Sequence, residues 1–144
     1  MDAAWNGSLD VLRLLVENGA NVNAIDDEGG TALMLACKNG HLGASKVLID
    51  RGANINAVKF DDGWTAMFYA SENGYAEIVQ SLISRSANIN ATDNENWTPL
   101  MEASIEGHTD IVMMLLENGA NINASTNDGW TPLMLSWFVL ECII

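Results

Sequence analysis

The chain is poor in positive charge. Its 144 residues include 6 Lys and Arg against 19 Asp and Glu, which gives a formal net charge of −13. No Lys or Arg follows Arg85, whereas eight of the acids do. Because affinity for phosphates depends on Lys and Arg that displace counterions, this balance argues against DNA or RNA as a partner. An anionic membrane surface is disfavoured for the same reason, and a basic partner is favoured.

Cysteine and long apolar runs are also scarce. Cys37 and Cys142 provide neither a disulfide framework nor the ligand spacing of a metal site. The opening residues MDAAWNGSLD lack the cationic stretch and apolar run of a secretory signal. The apolar stretch near the end spans about twelve residues, which is shorter than the ~20 residues that cross a bilayer. We therefore expect a cytoplasmic protein with no metal and no cofactor.

What the sequence does contain is one eight-residue pattern written four times. Residues 17–24 read ENGANVNA. Close copies follow at steps of 33, 34 and 33 residues, at 50–57, 84–91 and 117–124. Threonines recur with the same spacing, at Thr31, Thr65, Thr98 and Thr131. A fixed period of this size predicts a solenoid, in which each unit buries its apolar faces against its neighbours.

Each unit is predicted to hold two helices. The threonine hydroxyl suits the N-cap of the first helix, and both prolines, Pro99 and Pro132, directly follow such a threonine. The second helix shows paired apolar residues at helical period, as in residues 109–117. An Asn-Gly pair ends it; a hairpin turn is the alternative, but the flanking residues repeat at 3.6 and not at 2. The repeated pattern is therefore a helix end and a linker.

These features resemble the ankyrin repeat. The matching pattern is T-[PA]-[LM]-x-x-A-x-x-x-G, followed by V-x-x-L-[LI]-x-x-G-A-N-[IV]-N-A, over about residues 3–136. The resemblance implies an all-α ankyrin-repeat solenoid of stacked helix-turn-helix units with β-hairpin or loop fingers. It implies a single domain over residues 1–144. Within it are a partial repeat at 1–25, full repeats at 26–59, 60–92 and 93–125, and a partial repeat at 126–144.

Three departures from the ankyrin pattern predict local changes. Ankyrin repeats usually carry a histidine after T-P-L, whereas this column is apolar here, at Met34, Phe68, Met101 and Met134. Ser86 replaces the glycine that ends the second helix of the other units, and we expect strain of about 1 kcal/mol there. Asn96 replaces the glycine of one finger, and Asn tolerates the left-handed region.

No residue pattern indicates catalysis. His41 and His108 occupy the same position in two units, and we expect both to be structural. Cys37 shares a column with Ser71 and Ser104, which predicts a place in the core. A glycine-rich phosphate loop and a nucleophile elbow are both absent from the sequence. We therefore expect a protein that is not an enzyme.

A column of tryptophans provides the candidate binding site. Immediately before the capping threonines stand Trp64, Trp97 and Trp130. Acids accompany them in the predicted fingers, at Asp27, Glu28, Asp61, Asp62, Glu95 and Asp128. The resemblance places this column beside the concave face, which continues into the first helices with Glu72, Ile105 and Glu106. Either each Trp covers its own finger, or the column is an aromatic stripe in negative potential that binds a basic peptide.

The function predicted from these residues is a non-catalytic protein–protein interaction module. It would bind a basic protein or peptide through the hairpin tips and the concave face. The alternative is a regulatory or targeting ankyrin segment of a larger enzyme, channel or multidomain protein.

The final residues, SWFVLECII, predict a further contact. One apolar stripe has helical spacing and is expected to dock on the preceding unit, through Leu133, Trp137, Leu140 and Ile144. The other apolar residues of the tail have no second helix to cover them. We therefore expect self-association through residues 137–144.

Overall fold

Two layers of helices build the molecule. The computed structural model describes residues 8–141, with side chains for residues 8–137. The helices in this range are α1 (Leu9–Glu17), α2 (Ala32–Lys38), α3 (Leu42–Asp50), α4 (Ala66–Glu72), α5 (Ala76–Ile83), α6 (Pro99–Ile105), α7 (Thr109–Glu117) and α8 (Pro132–Glu141). Helices α2, α4, α6 and α8 pack in one layer, and α1, α3, α5 and α7 in the other. The described part contains no strand longer than an isolated bridge, and the predicted all-α solenoid is confirmed.

The threonine column caps the helices of the first layer. The Oγ1 atoms of Thr31, Thr98 and Thr131 accept hydrogen bonds from the backbone N–H three residues later, at 3.2, 3.3 and 3.4 Å. Thr65 differs, because its buried hydroxyl oxygen finds no hydrogen-bond partner among the described residues. The predicted caps are therefore confirmed in three of the four units.

The apolar column that replaces histidine lies in the core of the full units. Met34, Phe68 and Met101 are buried, and Cys37 is buried beside them. Burial raises the pKa of the Cys37 thiol to about 12, so this thiol stays protonated at neutral pH. The core position predicted for Cys37 is confirmed, and apolar packing takes the place of a polar network.

His108 connects two units. Its Nε2 lies 2.9 Å from the backbone oxygen of Glu72. The imidazole also lies against Gly74, where a Cβ atom would stand 2.7 Å from Cε1 of the ring. This close approach fixes the spacing of the two units, as expected of a structural histidine.

Asparagine side chains of the repeated motif join each unit to the next. The side-chain oxygen of the last Asn of one motif accepts a hydrogen bond from the backbone N–H of the Asn that stands two residues before the last Asn of the following motif. These bonds join Asn23 to Asn54, Asn56 to Asn88 and Asn90 to Asn121, at 2.7, 2.8 and 2.7 Å. The amide groups of Asn23 and Asn90 also donate to the carbonyls of Gly52 and Gly119. The repetition in the sequence therefore preserves a ladder between units.

Within residues 8–141, two residues other than glycine adopt a left-handed backbone. Ser86 has φ of 63°, and Asn96 has φ of 62°. In the other units the position of Ser86 is held by glycines with φ between 83° and 91°, at Gly19, Gly52 and Gly119. The left-handed geometry predicted at Ser86 is confirmed.

Helix α8 presents a different face to the stack from the one predicted. It packs against α6 and buries Leu135, whereas Leu133 is 80% exposed and Trp137 is 61% exposed. The predicted docking stripe is wrong for Leu133 and Trp137. The side chains of Leu140 and Ile144 lie outside the described residues.

The exposure of Leu133 follows from the lack of a covering second-layer helix among the described residues. In the full units the residues equivalent to Leu133 are buried, at Leu33, Met67 and Leu100. In those units a second-layer helix packs on the first-layer helix. None packs on α8 in the part of the chain that the structure describes.

Replacing Ser86 with Gly should stabilise the fold by about 0.5–1 kcal/mol, because glycine adopts positive φ without a Cβ clash. Urea denaturation of wild type and variant measures the change in midpoint. Ser84→Gly is the matched control. Ser84 has φ of −60° and donates to the Ser81 carbonyl, so the same replacement should destabilise there. A loss of stability in Ser86→Gly would contradict the expected backbone strain at Ser86.

The isolated chain is expected to self-associate through residues 137–144, because apolar side chains are exposed at this end, at Leu133, Met134 and Trp137. A chain that ends after Ser136 should show a lower apparent mass in light scattering at high concentration. Ile122→Ala, which removes an exposed apolar side chain elsewhere, is the control and should leave the mass unchanged. A full-length chain that stays monomeric would show this prediction to be wrong.

Candidate functional site

Four turns, here called fingers 1 to 4, carry the tryptophan and acid columns. They span residues 26–30, 59–64, 93–97 and 126–130. In each finger the N–H of the first residue donates to the carbonyl of the last, at 2.9 to 3.1 Å. Finger 1 is followed by an isolated antiparallel bridge between Ile25 and Thr31. Finger 2 is one residue longer than the others, so the extra residue in the 34-residue step lies within this turn.

Backbone hydrogen bonds hold the fingers in register. The carbonyls of Glu28, Asp62 and Glu95 each accept an N–H from the next finger, at 2.8, 3.2 and 3.0 Å. These three residues and Asp128 hold equivalent positions, three residues before the capping threonines. The four residues are called the finger acid column here. Their carboxylates are therefore spaced by one unit along one edge of the solenoid.

Side-chain oxygens fix the tryptophan backbone at the end of three fingers. Asp93 Oδ1 accepts the N–H of Trp97 at 2.8 Å, and Thr126 Oγ1 accepts that of Trp130 at 3.1 Å. In finger 2 the same bond comes from Asp62, whose Oδ1 accepts the N–H of Trp64 at 2.8 Å. These hydrogen bonds fix the backbone position of each of the three tryptophans.

The three tryptophans differ in their surroundings. Trp64 is half-buried, with its ring centroid 5.5 Å from that of Phe68 and 5.0 Å from that of Tyr69. Trp97 is also half-buried, whereas Trp130 is 42% exposed. The indole of Trp64 packs on residues of the helix that follows it. The aromatic surface that a partner could contact therefore lies mainly at fingers 3 and 4.

Lys59 lies among the acids of fingers 1 and 2. Its Nζ is 2.6 Å from Asp61, 3.0 Å from Glu28 and 3.8 Å from Asp62. The hydrogen bonds to Asp61 and Glu28 raise the pKa of Lys59 above its ordinary value, and the bond to Lys59 lowers the pKa of Asp61. Sequence reasoning missed this role, although Lys59 stands in the inserted connector. Asp27, the remaining predicted acid of finger 1, is exposed.

Glu102 lies at the centre of the acidic first-layer helices. Burial raises its pKa to about 7, and the negative charges of Glu72, Asp93 and Glu106 contribute further. Sequence reasoning did not select Glu102. It stands in a column that is otherwise Leu35, Tyr69 and Leu135, and a lone carboxylate in such a column was the available signal.

The remaining predicted residues lie at the ends of the first-layer helices. Glu72 ends α4 and is half-buried, Ile105 ends α6 and is half-buried, and Glu106 follows α6 and is exposed. The structure thus brings Glu72 and Glu106 together electrostatically around Glu102. In the earlier unit the same face carries a cation, since Lys38 Nζ stands 5.6 Å from the Tyr69 ring centroid. Negative potential is therefore concentrated toward α6.

The described residues contain neither a metal site nor a membrane-spanning helix. No group of three His, Cys, Asp or Glu side chains in the described part of the chain is arranged to hold a metal ion. None of the described helices has the length and apolar character needed to span a membrane. A groove of about 600 Å³ lies on the second layer beside the Arg85–Asp50 ion pair, where Nη2 and Oδ1 are 2.6 Å apart. Sequence reasoning did not point to this groove.

Replacing Glu102 with Gln should change how stability depends on pH. Because the folded-state pKa of about 7 exceeds the ordinary 4.5, the folded protein binds the proton more tightly, and stability falls as pH rises between these values. The urea midpoint of the variant, relative to that of wild type, should therefore increase as the pH rises from about 4.5 to about 7. Glu117→Gln, at the exposed end of α7, is the matched control. The same pH dependence in both variants would contradict the raised pKa.

Family comparison agrees with this architecture. A family model described as ankyrin repeats (3 copies) matches residues 1–93 and 87–138. Ankyrin repeats are generally protein–protein interaction modules and are typically non-catalytic. The match spans most of the chain, and the helix pairs, the threonine caps and the stacked fingers lie inside it. The chain belongs to the ankyrin repeat family.

Proposed function

We propose that this chain binds a basic protein or peptide through its fingers and the concave first-layer face. The observation that carries the proposal is the acidic surface centred on Glu102. Its carboxyl has a pKa of about 7 because it is partly buried among Glu72, Asp93 and Glu106. Burial is the larger cause of this shift and would disfavour a charge of either sign, but the charges of the three neighbouring carboxylates contribute to it as well, and their negative potential favours a positive charge. The finger acid column extends this potential along the edge of the solenoid.

The register of the fingers determines how such a partner would bind. An extended basic segment that crosses the fingers meets one column carboxylate in each unit, because the units are joined by backbone hydrogen bonds. The column carboxylates of fingers 1 and 2 already contact Lys59, so those of fingers 3 and 4 are the ones that lack a cation. The negative potential steers the encounter and aligns the partner. Trp97 and Trp130 add apolar contact of the kind that concentrates binding energy.

The proposal includes no catalysis. Cys37 is fully buried with a raised pKa, which is the opposite of an activated thiol. The raised pKa of Tyr69, to about 12, follows mainly from burial and then from Asp62. Neither group is arranged to attack a substrate. A buried free thiol is compatible with the reducing cytoplasm, which is where we place the protein.

A second proposal is that these repeats form a regulatory or targeting segment of a larger enzyme, channel or multidomain protein. The observation that favours it is apolar exposure on the outer helices, at Val11, Leu14, Leu15, Leu133, Met134 and Trp137. In a solenoid such faces are covered by adjacent repeats or by a capping unit. The full open reading frame decides between the two proposals.

Affinity for a basic probe should fall as salt rises from low to physiological concentration and beyond, because exposed charges are screened. A peptide of alternating Lys and Gly is the probe, and the same peptide with Glu for Lys should not bind. Isothermal titration at several salt concentrations measures the effect. A salt-independent complex, or equal binding of the Glu peptide, would contradict the proposal.

Matched charge variants assign this binding to the concave face. Glu72→Gln combined with Glu106→Gln should weaken the Lys peptide about threefold to tenfold, since exposed ion pairs contribute about 0.2–1 kcal/mol each. Glu77→Gln combined with Glu117→Gln makes the same change of charge on the second layer. That control should bind nearly as well as wild type. Equal weakening in both variants would indicate a response to net charge alone.

A further inference from the structure

The chain contains an example of a cation bound to its own finger acid column. The Lys59 ammonium lies 2.6 Å from Asp61, its shortest contact. It also lies 3.0 Å from Glu28 and 3.8 Å from Asp62, the members of the column in fingers 1 and 2. The side chain is mostly covered, with 17% of it exposed. Lys59 therefore bridges two neighbouring fingers, and its one positive charge offsets part of the charge of three carboxylates.

Fingers 3 and 4 repeat the acids without the cation. Glu95 and Asp128 hold the column positions of Glu28 and Asp62 one finger pair later. The sequence contains no Lys or Arg from Ser86 to its end, and the position of Lys59 is taken by Thr126 in finger 4. Among the described residues, no Lys, Arg or His nitrogen lies within 4 Å of the carboxylate of Glu95 or Asp128.

A notch of about 360 Å³ lies between these two fingers. The residues that line it are Glu95, Trp97, Thr126, Asn127, Asp128 and Trp130. Two of the lining side chains are indoles and two are exposed carboxylates. The Thr126 hydroxyl accepts the N–H of Trp130, and the Asn127 Oδ1 accepts a hydrogen bond from Asn96. The two carboxylates are thus the charged groups that a bound molecule would meet.

We infer that this notch binds a lysine side chain of the partner through its two column acids, which correspond to Glu28 and Asp62 around Lys59. The third acid around Lys59, Asp61, has Asn127 as its counterpart in finger 4. The ammonium would lie between Glu95 and Asp128, where charge-assisted hydrogen bonds are strong. The aliphatic stem would pack along the indoles of Trp97 and Trp130, which also attract the cation through their π faces. This inference rests on the proposed function and names one contact within it.

The chemistry of the notch selects this occupant over other ligands. Anions are repelled by two carboxylates. A hard metal ion requires about six or more oxygen ligands, and four of the six lining residues are aromatic or already hydrogen-bonded. A neutral apolar side chain would contact the indoles but leave the carboxylates without a partner. An ammonium on an apolar stem satisfies both parts of the lining.

Indole N–H signals in two-dimensional NMR test the assignment on the full chain. The probes are the capped peptide Ala-Ala-Lys-Ala-Ala and its analogue with norleucine, which keeps the stem and lacks the charge. The Lys peptide at low salt should shift the signals of Trp97 and Trp130 more than that of Trp64. The norleucine peptide should bind at least about fivefold more weakly. Equal shifts with both peptides would overturn the inference.

Matched variants locate the charge that the peptide meets. Glu95→Gln combined with Asp128→Asn should weaken the Lys peptide at least about fivefold, and Glu77→Gln combined with Glu117→Gln should stay within about twofold of wild type. Each variant is first compared with wild type by thermal midpoint, so that loss of fold is recognised. Equal affinity of the notch variant and wild type would overturn the inference.

The longer peptide of alternating Lys and Gly separates failure of the notch from failure of the proposed function. Shifts at Glu72 and Glu106 without shifts at Trp97 and Trp130 would overturn the notch and leave the concave-face proposal standing. No shift anywhere would overturn both. Shifts at both places, with the notch variant losing only those of Trp97 and Trp130, would support both.

Discussion

The contact between one helix pair and the next is the interaction on which the whole molecule depends. A single helix pair cannot bury its own apolar side chains, so each unit depends on its neighbours. Leu33, Met67 and Leu100 are buried because helices of both layers pack around them. Leu133, in the same column but without a second-layer helix over it among the described residues, is 80% exposed. The asparagine ladder and the backbone bonds between fingers add direction to this packing, since each fixes one unit at a set offset from its neighbour.

A fixed offset turns sequence columns into surface features. Because every unit presents the same position at the same place, four residues that are about 33 apart in sequence become one edge of acids. A change at one column position is therefore a local change in an otherwise regular surface. Glu102 illustrates the effect: the column holds Leu or Tyr in the other units, and the single carboxylate is partly buried among three others.

The periodic part of the structure could be predicted from the sequence, and the non-periodic part could not. Helix pairs, threonine caps and the left-handed Ser86 follow from spacing and local backbone chemistry, which act over a few residues. The environment of Glu102 depends in part on Glu72 in the preceding unit, and that of Trp64 depends on how its indole lies against Phe68 and Tyr69. The residue types in a column do not show either contact. The docking face of α8 was predicted wrongly because apolar spacing says which residues share a face, but not which partner helix is present to cover it. The residues proposed for binding stay a prediction.

One inserted residue gives this solenoid its asymmetry. Fingers 1 and 3 begin with Asp26 and Asp93, whose carboxylates accept N–H groups of their own turn. In the longer finger 2 that position is Lys59, and Asp62 takes over the bond to the turn. The insertion therefore exchanges an acceptor carboxylate for a cation that reaches back to Glu28. The column acids of fingers 1 and 2 share this cation, whereas those of fingers 3 and 4 have none within 4 Å among the described residues, so a chain of nearly identical units has two chemically different ends.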